Sequence, residues 1–331
     1  MKKTERHFRL SQTFIVAVLG ILMFILFSLI KPSFYSKYSL QNIMCYSAMY
    51  GIASLGMTLV IMTGGTDLSA GANMALAGVL GAGLLGNAIG AANPVKLPVL
   101  IAMLTAIVVS AGIGTLNGVC ITKLKIAPFV TTLAMMMIAR GLVYVVADSI
   151  VQGVSGSPIT FMNDQFSKLG QGKIGVIPIQ FILYTVLFLI MNLILQRTRF
   201  GRNIYAVGGN ENIAKLAGIS TYLTIILSYA ICGAMVGVSG LILAGRLSSA
   251  STVAATGYEL DFITAVALGG TAMAGGKGGV IGTLIGTLFL AIMNNGLDMI
   301  GVPSFYQYLI KGVILVLAVY SDKMLQIKKS E

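Results

Sequence analysis

Residues 64–71 read Gly64-Gly65-Thr66-Asp67-Leu68-Ser69-Ala70-Gly71. This polar stretch lies between two hydrophobic runs, 41–63 and 72–92. At membrane depth, irregular backbone and a carboxylate are tolerated only where protein buries them or a water-filled cavity receives them. We therefore predict a helix break that lines a polar passage. In it, Asp67 either faces the passage or caps the following helix, and Ser69 can share the capping.

The composition indicates a polytopic membrane protein. Of the 331 residues, 56% are hydrophobic and only 10% are charged, whereas an average soluble domain has about 25% charged residues. A globule of this size cannot hide so much apolar surface in its own core. The 40 glycines fit a membrane bundle, because glycine lets helices approach closely. We assign the net charge of +12 to basic residues retained on the cytoplasmic side, and not to binding of nucleic acid.

Few side chains are suited to catalysis or metal binding. The single histidine, His7, lies in the charged N-terminal tail. The three cysteines lie in apolar runs without a spaced motif and are interpreted as small hydrophobic residues. The glycine-rich run 269–279 lacks the Gly-Lys-Ser/Thr order of a phosphate loop. We therefore expect a chain that is not an enzyme and has no metal, no cofactor and no ATP site of its own.

Ten apolar stretches predict an all-α membrane bundle, since a spanning helix needs about 20 mainly apolar residues. They are 14–31, 41–63, 69–92, 96–121, 127–147, 176–195, 221–244, 258–272, 279–297 and 304–321. The first stretch follows a basic tail, lacks a small-residue cleavage pattern and is interpreted as a retained helix. The eighth is short and begins with acids, which predicts a half-helix or re-entrant segment. No linker divides the chain, so 1–331 is predicted to be one domain.

The basic residues predict the orientation. With the N-terminus inside, fourteen of the 22 lysines and arginines fall in inner segments and six in outer ones. The positive-inside rule therefore places both termini in the cytoplasm. The tail 1–13 and the loop 196–220 become cytoplasmic, and the loop 148–175 becomes external.

Polar residues in or beside the apolar stretches are candidates for lining a translocation path. They are Gly64, Gly65, Asp67, Ser69, Thr132, Arg140, Glu259 and Asp261. Arginine near the centre of a membrane helix costs about 2.5–3.5 kcal/mol, so Arg140 either pairs, for which Asp67 is a candidate, or snorkels to the outer face, which we favour. Glu259 and Asp261 are two residues apart and do not share a helix face. One is therefore expected at the helix terminus and the other in the bundle.

The inner segment 196–220 mixes basic, glycine and apolar residues. Asn210 and Glu211 are predicted to start a short helix, and Gly218 to end it. The apolar side chains of this helix would form a small docking face, made by Ile213, Leu216 and Ala217. The residues selected for coupling to a cytoplasmic partner are Phe200, Gly201, Arg202, Asn203, Gly208, Gly209, Asn210, Glu211 and Gly218. The alternative is a solvated loop that only carries positive-inside charges.

Five stretches resemble, in order, the ribose-type sugar permeases of the ABC transporter superfamily. The first two are Gly64–Gly71, and Lys125-Ile126-Ala127-Pro128-Phe129-Val130-Thr131-Thr132-Leu133 with Ala139-Arg140-Gly141. The third is the inner loop from Thr198 to Ala214. The last two are Gly257-Tyr258-Glu259-Leu260-Asp261 with Leu268-Gly269-Gly270-Thr271, and Gln307-Tyr308-Leu309-Ile310-Lys311-Gly312. Ala127 stands where the family often has a proline or another small residue.

The resemblance implies a multi-pass permease of the bacterial cytoplasmic (inner) membrane, working as a homodimer or close heterodimer. It would pair with a cytoplasmic ABC ATPase, into which residues 200–218 would dock, and with an extracytoplasmic sugar-binding protein. The residues themselves leave two alternatives. One is a self-contained secondary transporter with Asp67, Glu259 or Asp261 as ion-linked carboxylates. The other is a membrane enzyme, against which the lack of a usable histidine, cysteine pair or nucleophile motif argues.

Overall fold

The computed structural model describes residues 12–85, 97–150, 158–160 and 163–327. In these ranges the chain is mainly helical. The helices are α1 (Gln12–Ile30), α2 (Lys37–Met62), α3 (Ala70–Gly83), α4 (Val99–Thr122), α5 (Pro128–Ile150), α6 (Asp164–Gln171), α7 (Ile179–Arg197), α8 (Arg199–Gly209), α9 (Glu211–Leu216), α10 (Thr221–Leu247), α11 (Tyr258–Leu268), α12 (Val280–Met299) and α13 (Ser304–Ile327). A 3-10 turn at Pro32–Tyr35 joins α1 to α2.

Four two-residue strands form two antiparallel pairs. They are β1 (Ile159–Thr160) with β4 (Ser249–Ala250), and β2 (Lys173–Ile174) with β3 (Ile177–Pro178). Both pairs lie at the end of the bundle where α7 begins and α10 ends. We call this the strand end. The opposite end carries α8 and α9 and is called the α8 end.

Each of the ten predicted apolar stretches contains one helix: α1 to α5, α7, and α10 to α13. In the described residues, seven helices are long and apolar enough to cross a bilayer, and α3 and part of α13 are shorter apolar helices. The eighth stretch is α11, with only 11 residues. The prediction of an all-α polytopic bundle with a half-helix is confirmed. Part of the third stretch, 86–92, lies outside the described residues, as do His7 and most of the tail 1–13.

Two segments predicted as loops contain helices. The outer loop 148–175 includes α6, whose N-terminus is capped by Asn163 Oδ1, an acceptor for the Phe166 N–H at 3.0 Å. The inner loop 196–220 includes α8 as well as the predicted short helix α9. The start of α9 is as predicted, since Asn210 Oδ1 accepts from the Ile213 N–H at 3.0 Å. Gly218 follows it with a left-handed φ of +77°.

The bundle is centred on α2 and α10, which pack on each other, and α10 also packs on α3 and α4. Glycines permit the closest crossings. A Cβ at Gly114 of α4 would lie 2.1 Å from the Tyr229 carbonyl of α10, and one at Gly56 of α2 would lie 2.6 Å from the Cα of Cys232. Side chains there would push the helices apart, so the predicted role of glycine in close packing is confirmed. Cys232 is fully buried in this core, as its apolar context predicted.

Candidate functional site

The polar break begins where α2 ends. Gly64 has a φ of +84°, which favours glycine. The Gly64 N–H donates to the Ile61 carbonyl at 2.9 Å, and the Gly65 N–H donates to the Val60 carbonyl at 3.1 Å. These paired bonds satisfy carbonyls that the helix end would leave open. The double glycine therefore specifies a sharp helix stop.

Asp67 is 1% exposed and forms hydrogen bonds within the protein. Its Oδ1 accepts from the Ser69 N–H at 2.9 Å and from the Ser69 hydroxyl at 2.5 Å. Asn117 Nδ2 of α4 donates to Ser69 Oγ at 2.9 Å and lies 3.4 Å from Asp67 Oδ1. The break is thus tied to α4 by a buried polar network. The N-cap position of α3 is Ser69, and its side chain makes no capping hydrogen bond, so the capping predicted for Asp67 and Ser69 is not found. Asp67 instead anchors the turn just before α3.

Asn117 is a site residue that the sequence reasoning missed. It was one amide in the apolar stretch 96–121, with no motif around it. The only signal in the sequence was an amide inside an apolar stretch. An amide inside a membrane helix has to find a polar partner. Its partners are Asp67 and Ser69, which lie in the break between α2 and α3.

The break lies at the α8 end of the bundle. The Gly276 N–H donates to the Met62 carbonyl at 2.9 Å, and Tyr205 of α8 donates its hydroxyl to the Gly278 carbonyl at 2.9 Å. A Cβ at Gly208 would lie 1.8 Å from the same Met62 carbonyl. The end of α2, the helix α8 and the glycine-rich run 269–279 therefore meet through their backbones.

A cavity of about 540 Å³ opens beside the break at this end. Its wall includes both glycines of the break and charged groups of two neighbouring segments. These residues are Gly64, Gly65, Lys125, Glu211 and Lys215. The break therefore borders an accessible space at one end of the bundle, while Asp67 itself is buried below it.

Arg140 of α5 binds backbone carbonyls. Its Nη1 donates to the Thr252 carbonyl at 2.7 Å and to the Ala254 carbonyl at 3.0 Å. Both acceptors belong to the irregular segment 251–257, which contains left-handed residues at Ala255 and Gly257. The pairing with Asp67 that we considered is not found, because Arg140 binds these carbonyls and Asp67 binds Ser69. Snorkelling to the outer face stays a prediction, since segment 251–257 follows β4 at the strand end. A guanidinium carries several donors in a fixed fork, which suits it to the two neighbouring carbonyls of Thr252 and Ala254.

Loss of the Arg140 contacts is expected to loosen segment 251–257. Arg140→Met removes two hydrogen bonds from a charged donor, each worth about 1.5–3 kcal/mol. We expect amide hydrogen exchange in 251–257 to accelerate at least about tenfold, since 1.4 kcal/mol corresponds to that factor. The control is Arg202→Met, which changes an exposed arginine of α8. Unchanged exchange in Arg140→Met would contradict the assigned role.

Glu259 and Asp261 point to different sides of α11, as their spacing predicted. Glu259 and Arg140 line one cavity of about 480 Å³, together with Met136, Met137 and Tyr144 of α5. Asp261 is 5% exposed and its Oδ2 accepts from Lys311 Nζ of α13 at 2.8 Å. The carboxylate in the bundle is therefore Asp261. The sequence analysis had assigned no ion-pair partner to Lys311.

The eight predicted path residues form three groups and one separate residue, Thr132, and not one cluster. The break holds Gly64, Gly65, Asp67 and Ser69 at the α8 end, and the cavity beside α5 holds Arg140 and Glu259. Asp261 lies with Lys311 on the other side of α11. Thr132 is fully buried, and its hydroxyl donates to the Pro128 carbonyl of its own helix at 2.9 Å.

The predicted coupling residues divide into buried and exposed sets. Gly201 is buried at the α7–α8 corner, where a Cβ would lie 2.2 Å from the Leu195 carbonyl. Phe200, Asn203 and Gly208 are half-buried, and the exposed residues are Arg202, Gly209, Asn210, Glu211 and Gly218. The Glu211 carboxylate is used within the chain, because it pairs with Lys215 at 2.7 Å and accepts from the Thr221 hydroxyl at 3.2 Å.

Two large apolar residues of α9 face outward, while Ala214 is buried against the bundle. Leu216 is 89% exposed and Ile213 is 64% exposed. A short helix that displays leucine and isoleucine to solvent, and that adjoins α8, has the form of a docking element. The apolar bundle packs closely through glycines, some of its helices are interrupted, and α8 with α9 forms an exposed element at one end. These features together define a solute permease.

Comparison with known proteins identifies the family. Residues 39–319 match the family described as "Branched-chain amino acid transport system / permease component", and the chain belongs to it. It is 39% identical over 321 residues to the ribose import permease RbsC of Escherichia coli K12, covering 96% of this chain and 95% of the relative. The RbsC protein of Bacillus subtilis 168 is 40% identical over 304 residues, covering 91% and 90%. The galactose/methyl galactoside import permease MglC of Escherichia coli K12 is 36% identical over 323 residues, covering 95% and 94%.

No solved structure matches the chain. The resemblance found in the sequence is confirmed by the family and by relatives that align over nearly the full length. The chain is a multi-pass permease subunit of a binding-protein-dependent ABC importer of the bacterial cytoplasmic membrane, and it is not an enzyme.

Proposed function

We propose that this chain forms the translocation path of an ATP-driven importer for a simple sugar. Two permease copies would assemble with a cytoplasmic ATPase that hydrolyses ATP and with an extracytoplasmic sugar-binding protein that delivers the cargo. The sugar class is supported by the similar proteins, which are named for ribose and for galactose or methyl galactoside import. We infer that the α8 end faces the cytoplasm, because the basic residues concentrate in the segments of that end.

The observation that carries the proposal is the placement of α8 and α9. On its outer side, α9 exposes Leu216 and Ile213. On its inner side, α8 touches the last carbonyl of α2 through Gly208 and the glycine-rich run through Tyr205. A partner bound to α9 would therefore act directly on the helix break. Binding energy of the ATPase in its nucleotide states could bias the bundle between two conformations by this route.

The cavity beside α5 is our proposal for the solute path. Arg140 and Glu259 supply charged groups there, and Met136 and Met137 supply apolar wall. On the outward face of α5, Met137 is 70% exposed and Val145 is 65% exposed. A second permease copy packed on this face would close the open side of the cavity. The path would then run between the two copies.

The proposal is tested by reconstitution. The chain is purified with its ATPase and its sugar-binding protein, which are first sought among the neighbouring genes, and the complex is placed in liposomes. We expect uptake of ribose, galactose or methyl galactoside that requires ATP and stops with vanadate. The ion-coupled alternative predicts uptake by this chain alone, driven by a proton or sodium gradient. Gradient-driven uptake without the ATPase would overturn the proposal.

Docking of the ATPase is expected to depend on Leu216. Burial of an exposed leucine at an interface stabilises by about 1.5–3 kcal/mol, and aspartate in its place adds a desolvation cost. Leu216→Asp should therefore weaken ATPase binding at least tenfold, measured by titration of the purified permease with the ATPase, without loss of the folded permease. The matched control is Leu247→Asp, because Leu247 is 59% exposed at the strand end. Equal effects of the two changes would contradict the docking assignment.

Gly201 and Glu211 are poorer test positions. The buried corner at Gly201 has no room for an aspartate, so Gly201→Asp would disturb the α7–α8 turn itself. Glu211→Lys would break its contacts with Lys215 and Thr221 within the chain. A change at either residue would affect both folding and docking. The side chain of Leu216 is exposed, so Leu216→Asp tests docking without disturbing the fold.

A further inference from the structure

A second polar cavity lies near the strand end, on the side of α11 away from α5. Its volume is about 160 Å³, and it is enclosed by α2, α11, α12 and α13. Four tyrosines form much of its wall: Tyr46, Tyr50, Tyr258 and Tyr308. We call it the tyrosine cavity. Ser304, at the start of α13, also lines it, so it reaches the α12–α13 turn.

One wall residue of the tyrosine cavity is buried with an unused acceptor. Asn294 of α12 is 4% exposed, and in the described part of the chain its Oδ1 has no hydrogen-bond partner. A buried amide oxygen without a donor is costly, and native structures rarely keep one without a reason. Its position in a cavity wall points to a donor supplied by a bound molecule.

The other polar groups of the cavity are held in place. Asp298 accepts from the Tyr46 hydroxyl at 3.0 Å and from Gln307 Nε2 at 2.8 Å. Lys311 is fixed by Asp261 at 2.8 Å. These contacts hold an aspartate, a glutamine and a lysine around the cavity beside the aromatic rings. Ligand sites typically combine such aromatic walls with a few positioned polar groups.

The charges around the tyrosine cavity balance. Lys311 lies opposite Asp261, and the Arg246 guanidinium lies 4.6 Å from the ring centre of Tyr46, whose hydroxyl binds Asp298. Of these four charged side chains, Asp298 and Lys311 line the cavity, and Asp261 and Arg246 neighbour its wall. An anionic ligand would face the Asp298 carboxylate, and a cationic one would face Lys311. A neutral molecule with several hydroxyl groups matches both the donors and the acceptors.

We propose that the tyrosine cavity is a binding site for a neutral monosaccharide, in which Asn294 Oδ1 accepts from a sugar hydroxyl. The inference rests on the proposed function in sugar import, and it adds a place where the cargo is held. In the proposed orientation the strand end faces outward, so the site lies on the side from which the binding protein would deliver sugar. The site adjoins the Arg140 and Glu259 cavity across the start of α11.

Tryptophan fluorescence tests the site directly, because the chain contains no tryptophan. Tyr308→Trp places a single emitter in the cavity wall, and Tyr222→Trp places a control emitter at the α8 end. The probes are ribose, galactose, methyl galactoside and the anion ribose 5-phosphate. We expect a saturable emission change with at least one neutral sugar in Tyr308→Trp, a far weaker one with the phosphate, and none in Tyr222→Trp.

The role of Asn294 is tested in the same background. Asn294→Leu removes the unpaired oxygen without breaking an assigned contact of that oxygen, so the unfolding temperature should not fall. Sugar binding should weaken by about tenfold, the equivalent of one hydrogen bond. Sugar transported per ATP hydrolysed by the complete importer should fall as well. A drop in stability with unchanged sugar binding would instead show a structural role and overturn the proposal.

The outcomes separate this inference from the function on which it rests. If the complete wild-type importer takes up sugar while Tyr308→Trp emission stays unchanged and Asn294→Leu transports normally, the cavity is not a sugar site and the proposed function stands. If the phosphate binds as well as the neutral sugars, the assigned ligand class is wrong. If the wild-type importer takes up none of the sugars, the proposed function fails and the inference fails with it.

Discussion

Lys311→Met is expected to destabilise the protein by about 3–5 kcal/mol, because it leaves a buried carboxylate without its partner. Asp261 is 5% exposed, and its Oδ2 lies 2.8 Å from Lys311 Nζ. We expect the purified variant to unfold at a clearly lower temperature in detergent and to support little uptake in the assembled importer.

The exposed pair of Glu211 and Lys215 supplies the control. Its charged atoms lie 2.7 Å apart, but both side chains are about half exposed. Such surface pairs contribute about 0–1 kcal/mol, so Lys215→Met should leave the unfolding temperature nearly unchanged. The same residue change at two ion pairs of similar length then compares a buried pair with an exposed one.

The double variant Asp261→Asn with Lys311→Met separates two effects. One is the loss of the ion pair, and the other is the cost of leaving the Asp261 carboxylate buried without its partner. With both charges removed, the fold should recover most of the stability lost in Lys311→Met. If Lys311→Met is no more damaging than Lys215→Met, or if the double variant is no better than the single one, Asp261 is not held by Lys311 as a buried ion.

The apolar pattern was sufficient to predict the spanning helices. A bilayer fixes the length and the hydropathy of a span, so the ten stretches could be found one at a time without knowledge of their neighbours. The short eighth stretch was recognisable as well, because Glu259 and Asp261 mark the start of α11. Helix α8 was missed for the opposite reason. Gly201, Gly208 and Gly209 lower its intrinsic helix propensity, and packing against α2 and the glycine-rich run decides its structure.

The pairing of polar groups could not be predicted, since it depends on contacts between distant segments. Lys311 and Asp261 are 50 residues apart, as are Asn117 and Asp67. No local period or motif relates them. Arg140 was harder still, because its acceptors are backbone carbonyls, which each residue carries. The sequence indicated that each buried polar group needed a partner, and only the fold determines which one it has.

The proposed route from ATPase to path makes Gly208 a position of large effect. A single added methyl group at Gly208 would lie 1.8 Å from the Met62 carbonyl and 2.5 Å from the Gly276 nitrogen. Both are backbone atoms and cannot rotate away. Gly208→Ala must therefore move α8 from the end of α2 and disturb the Gly276–Met62 hydrogen bond, which is 2.9 Å long. The contact through which α8 would act on the break is then displaced.

Gly209 offers a control one residue away. A Cβ at Gly209 meets nothing within 4 Å, so Gly209→Ala adds the same atom to the same helix without a clash. Alanine favours a helix over glycine by about 1 kcal/mol, and this gain applies to both variants. Any loss specific to Gly208→Ala therefore comes from contact with α2 and not from the conformation of α8.

We expect Gly208→Ala to reduce ATP-dependent uptake at least tenfold while the exposed face of α9 still binds the ATPase, and Gly209→Ala to transport normally. The decisive measurement is sugar transported per ATP hydrolysed by the reconstituted complex, with ATPase binding measured in parallel. Loss of the transport ratio with retained binding is the signature of broken coupling. Equal ratios for the two variants would mean that force does not pass from α8 to α2 at this contact, and the proposed coupling route would have to be abandoned.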